Sequence, residues 1–81
     1  MNLIVLTPEK EIYNGHIRSV KVPAIGGQFE VLGKHAPIVA ALEKGNIRVI
    51  DTKEQKTNFA IENGYIEVLN DEVVILVTVS A

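Results

Sequence analysis

Hydrophobic and polar residues alternate with a period of two in several short segments of the chain. Val20 and Val22 alternate with Ser19 and Lys21, and Phe29 and Val31 alternate with Gln28 and Glu30. Because successive side chains of a β-strand point to opposite faces, this pattern predicts strands with one buried and one solvated face. Further segments rich in β-branched and aromatic residues also suit strands, at 47–50, 57–61 and 65–69.

Two apolar segments do not alternate in this way. Residues 73–77 are apolar at every position, so we expect this strand to be buried on both sides or covered, because an exposed apolar edge promotes aggregation. Residues 38–42 fit a helix or a strand by pattern alone. Five residues between a proline and a Glu-Lys-Gly turn are too few for a stable helix, which favours a strand.

Turn-forming residues recur about every ten positions, a spacing typical of all-β sandwiches and barrels. These turn signals lie at 7–9, 14–15, 26–27, 33–37, 44–46, 52–56, 63–64 and 70–71. No segment combines helical periodicity with capping residues. The sequence therefore predicts an all-β fold, with one domain over residues 1–81 and no internal linker.

Composition supports a folded domain and limits its partners. The 81 residues are 47% hydrophobic and 22% charged, which argues against disorder. Ten acidic and eight basic residues give a formal net charge of -2, which provides no basic surface for a phosphate backbone, so we expect no nucleic-acid partner.

Residues suited to catalysis or metal binding are few. His16 and His35, without any cysteine, fall short of a zinc site. No serine lies in a Gly-x-Ser-x-Gly motif, and Gly33-Lys34 is followed by histidine where a phosphate-binding loop needs serine or threonine. We expect no enzyme activity, no cofactor, no metal site and no ATP binding.

The segment 26–37 is the candidate binding region. Gly26, Gly27 and Gly33 fit a bulge or turn with positive φ, where a side chain-free backbone also lets a partner approach closely. His35 precedes Ala36 and Pro37, and it either fixes a corner of the chain or contacts a partner.

Without catalytic motifs, a small β-domain is most simply a binding or structural module. The alternative is a carrier domain with a modified lysine at a hairpin tip, since Lys34 and Lys44 lie near turns. The Met-Lys-Met motif of biotin carriers is absent, because Met1 is the one methionine. Mass spectrometry would detect the covalent cofactor of a carrier.

Three segments, in this order, resemble the N-terminal β-sandwich domain of the ε subunit of F-type ATP synthase. They read LTPEKEIYNG from residue 6, GQFEVLGKHAP from residue 27 and ENGYIEV from residue 62. LEKGNIRV from residue 42 is similar to the family's Lys-Pro-Gly-x-x-Arg-Ile stretch. The family usually has Gly-Glu-Phe-Gly-Val-Leu-Pro at 27–33, so this chain lacks the charge at Gln28.

The resemblance implies a two-sheet β-sandwich of about ten short strands that acts as a non-catalytic rotor subunit. It would link the γ subunit to the ring of c subunits and couple ion translocation to ATP synthesis. The loop around Gly27 would bind partners, with Gln28 against the c-ring and with His35, Ala36 and Pro37 against γ or the ring.

The resemblance also implies a location and a form. The complex places this subunit peripherally on the cytoplasmic face of the bacterial inner membrane, with membrane contact only through the complex. Typical members continue into a C-terminal helical hairpin where this sequence ends at Ala81. A short form lacking that hairpin is expected to couple rotation without regulating it.

Overall fold

A computed structural model of the protein describes residues 1–79, and all regular elements within them are β-strands. In chain order the strands are β1 (Asn2–Leu6), β2 (Glu11–Val22), β3 (Phe29–Leu32), β4 (Ile38–Leu42), β5 (Gly45–Asp51), β6 (Lys56–Leu69) and β7 (Glu72–Val79). The all-β prediction is confirmed, as is the prediction that residues 38–42 form a strand.

Two long strands, β2 and β6, each belong to both layers of a sandwich. The first half of β6 pairs with β5, and its second half pairs with β4 and β7. β2 pairs with β1 up to residue 16 and with β3 and β5 from residue 17 onward. Layer A therefore contains β3, β5 and one half of β2 and of β6, whereas layer B contains β4, β7, β1 and the other halves. The sandwich thus consists of seven strands, two of them long and shared between the layers, where about ten short strands were expected.

Register shifts mark the places where the long strands change layer. The shift in β2 lies between Ile17 and Ser19, and that in β6 lies between Ile61 and Asn63. An extra residue on one strand bends it and increases its local twist, which lets one strand leave one sheet and enter the other. Because β1 pairs with both β2 and β7, the path β1-β7-β6-β5-β2 closes on itself.

The core between the layers is almost entirely aliphatic. Leu3, Ile47, Ile61, Ile66 and Ile75 have no solvent exposure. Full burial of such a side chain contributes roughly 1.5–3 kcal/mol, so these contacts are the main force that holds the layers together.

An aromatic pair lies beside this core. The rings of Tyr13 and Phe59 meet edge to face, with centroids 6.0 Å apart. Burial raises the pKa of the Tyr13 hydroxyl, and the nearby Asp51 carboxylate adds to this effect, so the neutral phenol is the form that the fold favours.

The predicted alternation is confirmed in β3, where Val31 is buried and Glu30 is exposed. At one position of β2 the prediction is wrong. Ser19, expected to be solvated, is 3% exposed. It lies between Leu32 of β3 and Ile50 of β5 in the strand register, and these apolar neighbours shield it.

Two predicted turns are wrong. Asn14-Gly15 lies inside β2 and Asn63-Gly64 lies inside β6. Asn-Gly is a strong local signal for a hairpin, but here pairing with neighbouring strands keeps both segments extended. Gly64 pairs with Leu42 of β4 on one side and Val77 of β7 on the other.

The prediction that the strand at 73–77 is buried on both sides or covered is only partly correct. β7 lies between β1 and β6, so it is not an edge strand. Val73, Ile75 and Val77 are buried, but Leu76 on the other face is 37% exposed. The outer face of β7 is therefore open, contrary to the prediction that both sides are covered.

Gly64 occupies the most crowded glycine position in the fold. A Cβ at this residue would overlap the carbonyl oxygen of Leu76 and would lie 2.9 Å from Val77 Cγ1. At Gly15, also within a strand, the nearest atom to an added Cβ is Tyr13 Cε1 at 3.7 Å, an ordinary contact.

We expect Gly64→Ala to lower the free energy of unfolding by about 1–3 kcal/mol, because backbone atoms of β7 must move to admit the methyl group. Gly15→Ala is the matched control, and its effect should be neutral or stabilising by about 0.4–1 kcal/mol. Urea unfolding followed by circular dichroism measures both. Equal stability of the two variants would contradict the close approach at Gly64.

Candidate partner-binding surfaces

The candidate loop consists of two bends, one on each side of β3. In the first, Gly27 N donates a hydrogen bond to Ala24 O at 3.0 Å, and Ile25 N donates to Ala41 O at 3.0 Å. Gly26 and Gly27 have φ angles of 95° and 139°, which confirms the predicted need for glycine. The bend is thus fixed by the backbone, and it presents exposed Gln28 at its end.

The second bend is organised by His35. Its Nδ1 lies 2.7 Å from Ala36 O, and its ring stacks on Phe29 with centroids 6.4 Å apart. Since a carbonyl oxygen only accepts hydrogen bonds, Nδ1 carries a proton and donates it to Ala36 O. His35 is half-buried, whereas Ala36 and Pro37 are exposed. The geometry assigns His35 the corner-fixing role, and its contact with a partner stays a prediction.

The two bends do not form one site. Gly27 and Gln28 line a shallow depression with Pro23, Glu43, Gly45 and Asn46. His35 and Pro37 line another with Met1, Gly33, Lys34, Asn70 and Asp71. The two depressions share no residue, and the four residues of β3 between them span about 13 Å. Contacts made by the predicted residues would therefore fall in two separate places.

The outer face of layer B is a third surface, and the sequence patterns did not reveal it. Val39 is 67% exposed, Tyr65 49%, Leu69 50% and Leu76 37%. Register places them on one face: Ala41 of β4, Tyr65 of β6 and Leu76 of β7 are direct neighbours, as are Val39 and Glu67. Half-buried residues of β1 extend the same apolar surface. We call this surface the layer B face.

The outer face of layer A has a different character. Its register places Glu30, Lys21, Arg48 and Asn58 in one row across four strands. Arg48 Nη2 lies 3.3 Å from Glu30 Oε2, so the row contains its own ion pair. Charged and amide side chains suit a solvated face. This row of layer A thus differs in composition from the layer B face, where exposed valine, tyrosine and leucine lie together.

Within residues 1–79 no group of three or more His, Asp or Glu side chains is placed to hold a metal ion. The same residues contain no helix long and apolar enough to cross a membrane. The strands and their register define a small β-sandwich domain.

The comparisons with known proteins identify its family. The family described as "ATP synthase, Delta/Epsilon chain, beta-sandwich domain" matches residues 1–80. The chain belongs to this family, and the resemblance inferred from the sequence is confirmed.

Curated relatives are each named ATP synthase epsilon chain. That of Protochlamydia amoebophila is 40% identical over 74 residues, which cover 91% of this chain and 50% of the relative. The Chlorobium limicola protein is 34% identical with 84% of its length covered, and a Helicobacter pylori protein is 41% identical with 61% covered. The chain thus spans between half and five-sixths of these relatives.

Solved structures support the fold. A chain of the Euglena gracilis mitochondrial ATP synthase, solved as OSCP/F1/c-ring, aligns with a TM-score of 0.88 and 21% identity over 93% of this chain and 48% of that one. A chain of the Tetrahymena thermophila central stalk and c-ring aligns with a TM-score of 0.81 and 18% identity, covering 96% and 63%. At these identities the likeness concerns the fold alone.

The first bend gives a test of its backbone. Gly27→Val should lower the free energy of unfolding by about 1–3 kcal/mol, because valine is strained at a φ of 139°. No atom lies within 4 Å of a Cβ added there, so strain is the sole source of the loss. Thermal and urea unfolding measure the effect.

Gly33→Val is the matched control for this strain. An added Cβ at Gly33 also meets open space, but its φ lies outside the positive region. The prediction of a positive φ at Gly33 is therefore wrong, because the second bend takes its positive φ, 64°, at Lys34. An equal loss of stability in both variants would show that side-chain bulk, and not the dihedral angle, is responsible.

Proposed function

We propose that this chain is a non-catalytic rotor subunit of an F-type ATP synthase, which links the γ subunit to the c-ring and couples ion translocation to ATP synthesis. The observation that carries the proposal is the family match over residues 1–80, together with relatives named ATP synthase epsilon chain. A β-sandwich with binding surfaces and no catalytic constellation in its described part fits such a role.

The mechanism is mechanical. In the proposed role the domain is a rigid wedge between two partners, and the two bends beside β3 offer it separate points of contact. Gln28, next to Gly27, contacts the polar loops of the c-ring. His35, Ala36 and Pro37 contact γ or the ring from the other end of β3. Backbone hydrogen bonds fix the first bend, and the contact of His35 Nδ1 with Ala36 O fixes the second. Preorganised bends lose less entropy on binding.

The same proposal places the chain peripherally on the cytoplasmic face of the bacterial inner membrane. Membrane contact would come only through the complex. Ten acidic and eight basic residues provide no polybasic surface that would draw the chain to anionic lipids.

We expect Gln28→Ala to weaken binding to purified γ with the c-ring by roughly 2–10-fold, the value of one hydrogen bond. Folding should be unaffected, since Gln28 is exposed. Gln55→Ala is the matched control, because Gln55 is exposed in a distant turn and bonds to Asp51 through its backbone nitrogen and oxygen, which the substitution keeps. Calorimetry compares the three proteins, and unchanged binding by Gln28→Ala would remove this residue from the interface.

Reconstitution tests the function as a whole. Added to an ATP synthase lacking its ε subunit, the 81-residue chain should restore coupling between ion flow and ATP synthesis. ATP hydrolysis by the detached catalytic head should remain unchanged, and calorimetry should detect no ATP binding to the chain, which lacks a phosphate-binding motif. Failure to restore coupling, strong inhibition of the head, or micromolar ATP binding would each contradict the proposal.

A further inference from the structure

Glu67 is a single carboxylate inside the apolar layer B face. Across the strands its neighbours are Val39 of β4 and Val74 of β7. Along β6 the side chains on the same face are Tyr65 and Leu69, two residues to either side. Directly opposite side chains in a sheet lie about 4.5–5.5 Å apart, so apolar groups border Glu67 on all four sides.

The free domain leaves this carboxylate in water. Glu67 is exposed and forms no ion pair with any residue between 1 and 79. A partner that covered Val39, Tyr65 and Leu69 would cover Glu67 as well, because it lies between them. A desolvated carboxylate without a partner is strongly unfavourable, so any protein that covers this face has to bring a matching group.

The charges around Glu67 define what that group is. Outward positions on the layer B strands carry three carboxylates, those of Glu11, Glu67 and Glu72, and no lysine or arginine. The face is thus mostly apolar, with one negative charge at its centre, on Glu67, and two at its margin, on Glu11 and Glu72. The complementary surface is apolar with a basic side chain opposite Glu67, and arginine fits best because its planar guanidinium pairs with a carboxylate through two parallel hydrogen bonds.

We propose that the layer B face is a docking site for an apolar protein surface bearing one arginine or lysine, which pairs with Glu67 and fixes the orientation of the bound partner. The proposal rests on the proposed function, in which the partner is another chain of the rotor. In this proposal Glu67 determines which partner binds, and the surrounding apolar side chains provide the area that the partner buries. This division of roles is typical of interfaces in which aromatic and aliphatic groups supply affinity and a charge pair supplies specificity.

A second copy of this chain is a poorer occupant of the same face. Symmetric dimers use the same patch on both subunits, so residues near the two-fold axis meet their own counterparts. Glu67 lies at the centre of the patch, and a symmetric contact would bring two carboxylates together. Like charges placed in this way oppose association.

The first experiment tests the face with one variant on each layer. Leu69 is 50% exposed on the layer B face, and Asn58 is exposed on the outer face of layer A, outside segment 26–37. Binding of the full chain to purified γ subunit is measured by calorimetry, with thermal unfolding as a check of folding. Leu69→Ser should weaken binding by about fivefold or more, whereas Asn58→Ser should leave it unchanged. Equal effects of the two variants would overturn the assignment of the face.

The second experiment tests the charge. Glu67→Gln should weaken binding by about 30-fold or more, because the partner's basic group loses its counter-charge in a covered site. Glu67→Lys should weaken it further. Glu62→Gln is the control, since Glu62 is on the same strand but its carboxylate is 3.8 Å from Lys44 Nζ. Unchanged binding by both Glu67 variants would overturn the charge pair.

The outcomes separate this inference from the proposed function. If the unchanged chain binds γ and restores coupling while the Glu67 and Leu69 variants behave like it, the proposed function stands and the docking site is wrong. If the unchanged chain does not bind γ at all, both are wrong. Sedimentation of the free chain as a dimer that the Leu69→Ser variant abolishes would show that a second copy is the occupant, and would overturn the proposal.

Discussion

The fold depends on the close approach of three strands at Gly64. Here β6 has β4 on one side and β7 on the other, and β7 is so near that its Leu76 carbonyl leaves no room for a Cβ. Only glycine permits this contact. It follows directly on the register shift by which β6 leaves layer A and enters layer B. The layer change of β6 and the pairing of β4 and β7 therefore rest on one residue without a side chain.

The asymmetry between the two outer faces follows from the same strands. Layer A has an ion-paired row that solvates well, whereas layer B has exposed valine, tyrosine and leucine around one carboxylate. Nothing in the core demands this difference, because the inward residues of both layers are equally aliphatic. An exposed apolar face increases the risk of association with wrong partners, and the proposed docking would cover it. A carboxylate at its centre limits that risk, since an apolar surface without a basic group binds it poorly.

Local pattern was enough to predict the fold class but not the path of the chain. Alternation in β3 and the density of turn residues both indicate an all-β sandwich, because they reflect short-range geometry. Asn14-Gly15 and Asn63-Gly64 were misleading, since the same dipeptides that favour a hairpin are held straight by strands distant in sequence. The glycine bend was predictable from the steric demands of its positive φ angles.

The layer B face was harder to predict because it is built from separate strands. Val39, Tyr65 and Leu76 come together only through the register of β4, β6 and β7. Two signals were nevertheless present in the sequence. Residues 65–69 are apolar on both faces except at Glu67, and residues 73–77 are apolar throughout. Such a strand was expected to be covered, and within the described part of this chain its outer face is not.

Closure of the sandwich explains how the separate surfaces act together in the proposed role. Because β2 and β6 are covalently continuous through both layers, the layers neither slide nor hinge without breaking strand pairs. β2 pairs with β3 in layer A and with β1 in layer B, and β1 pairs with β7, so strand pairing connects the bends beside β3 to the apolar face without a break. A domain of two loosely packed sheets would dissipate the same displacement in relative motion. Sharing two strands between the layers is therefore the feature that would keep the bends and the layer B face in a fixed relation in the proposed role.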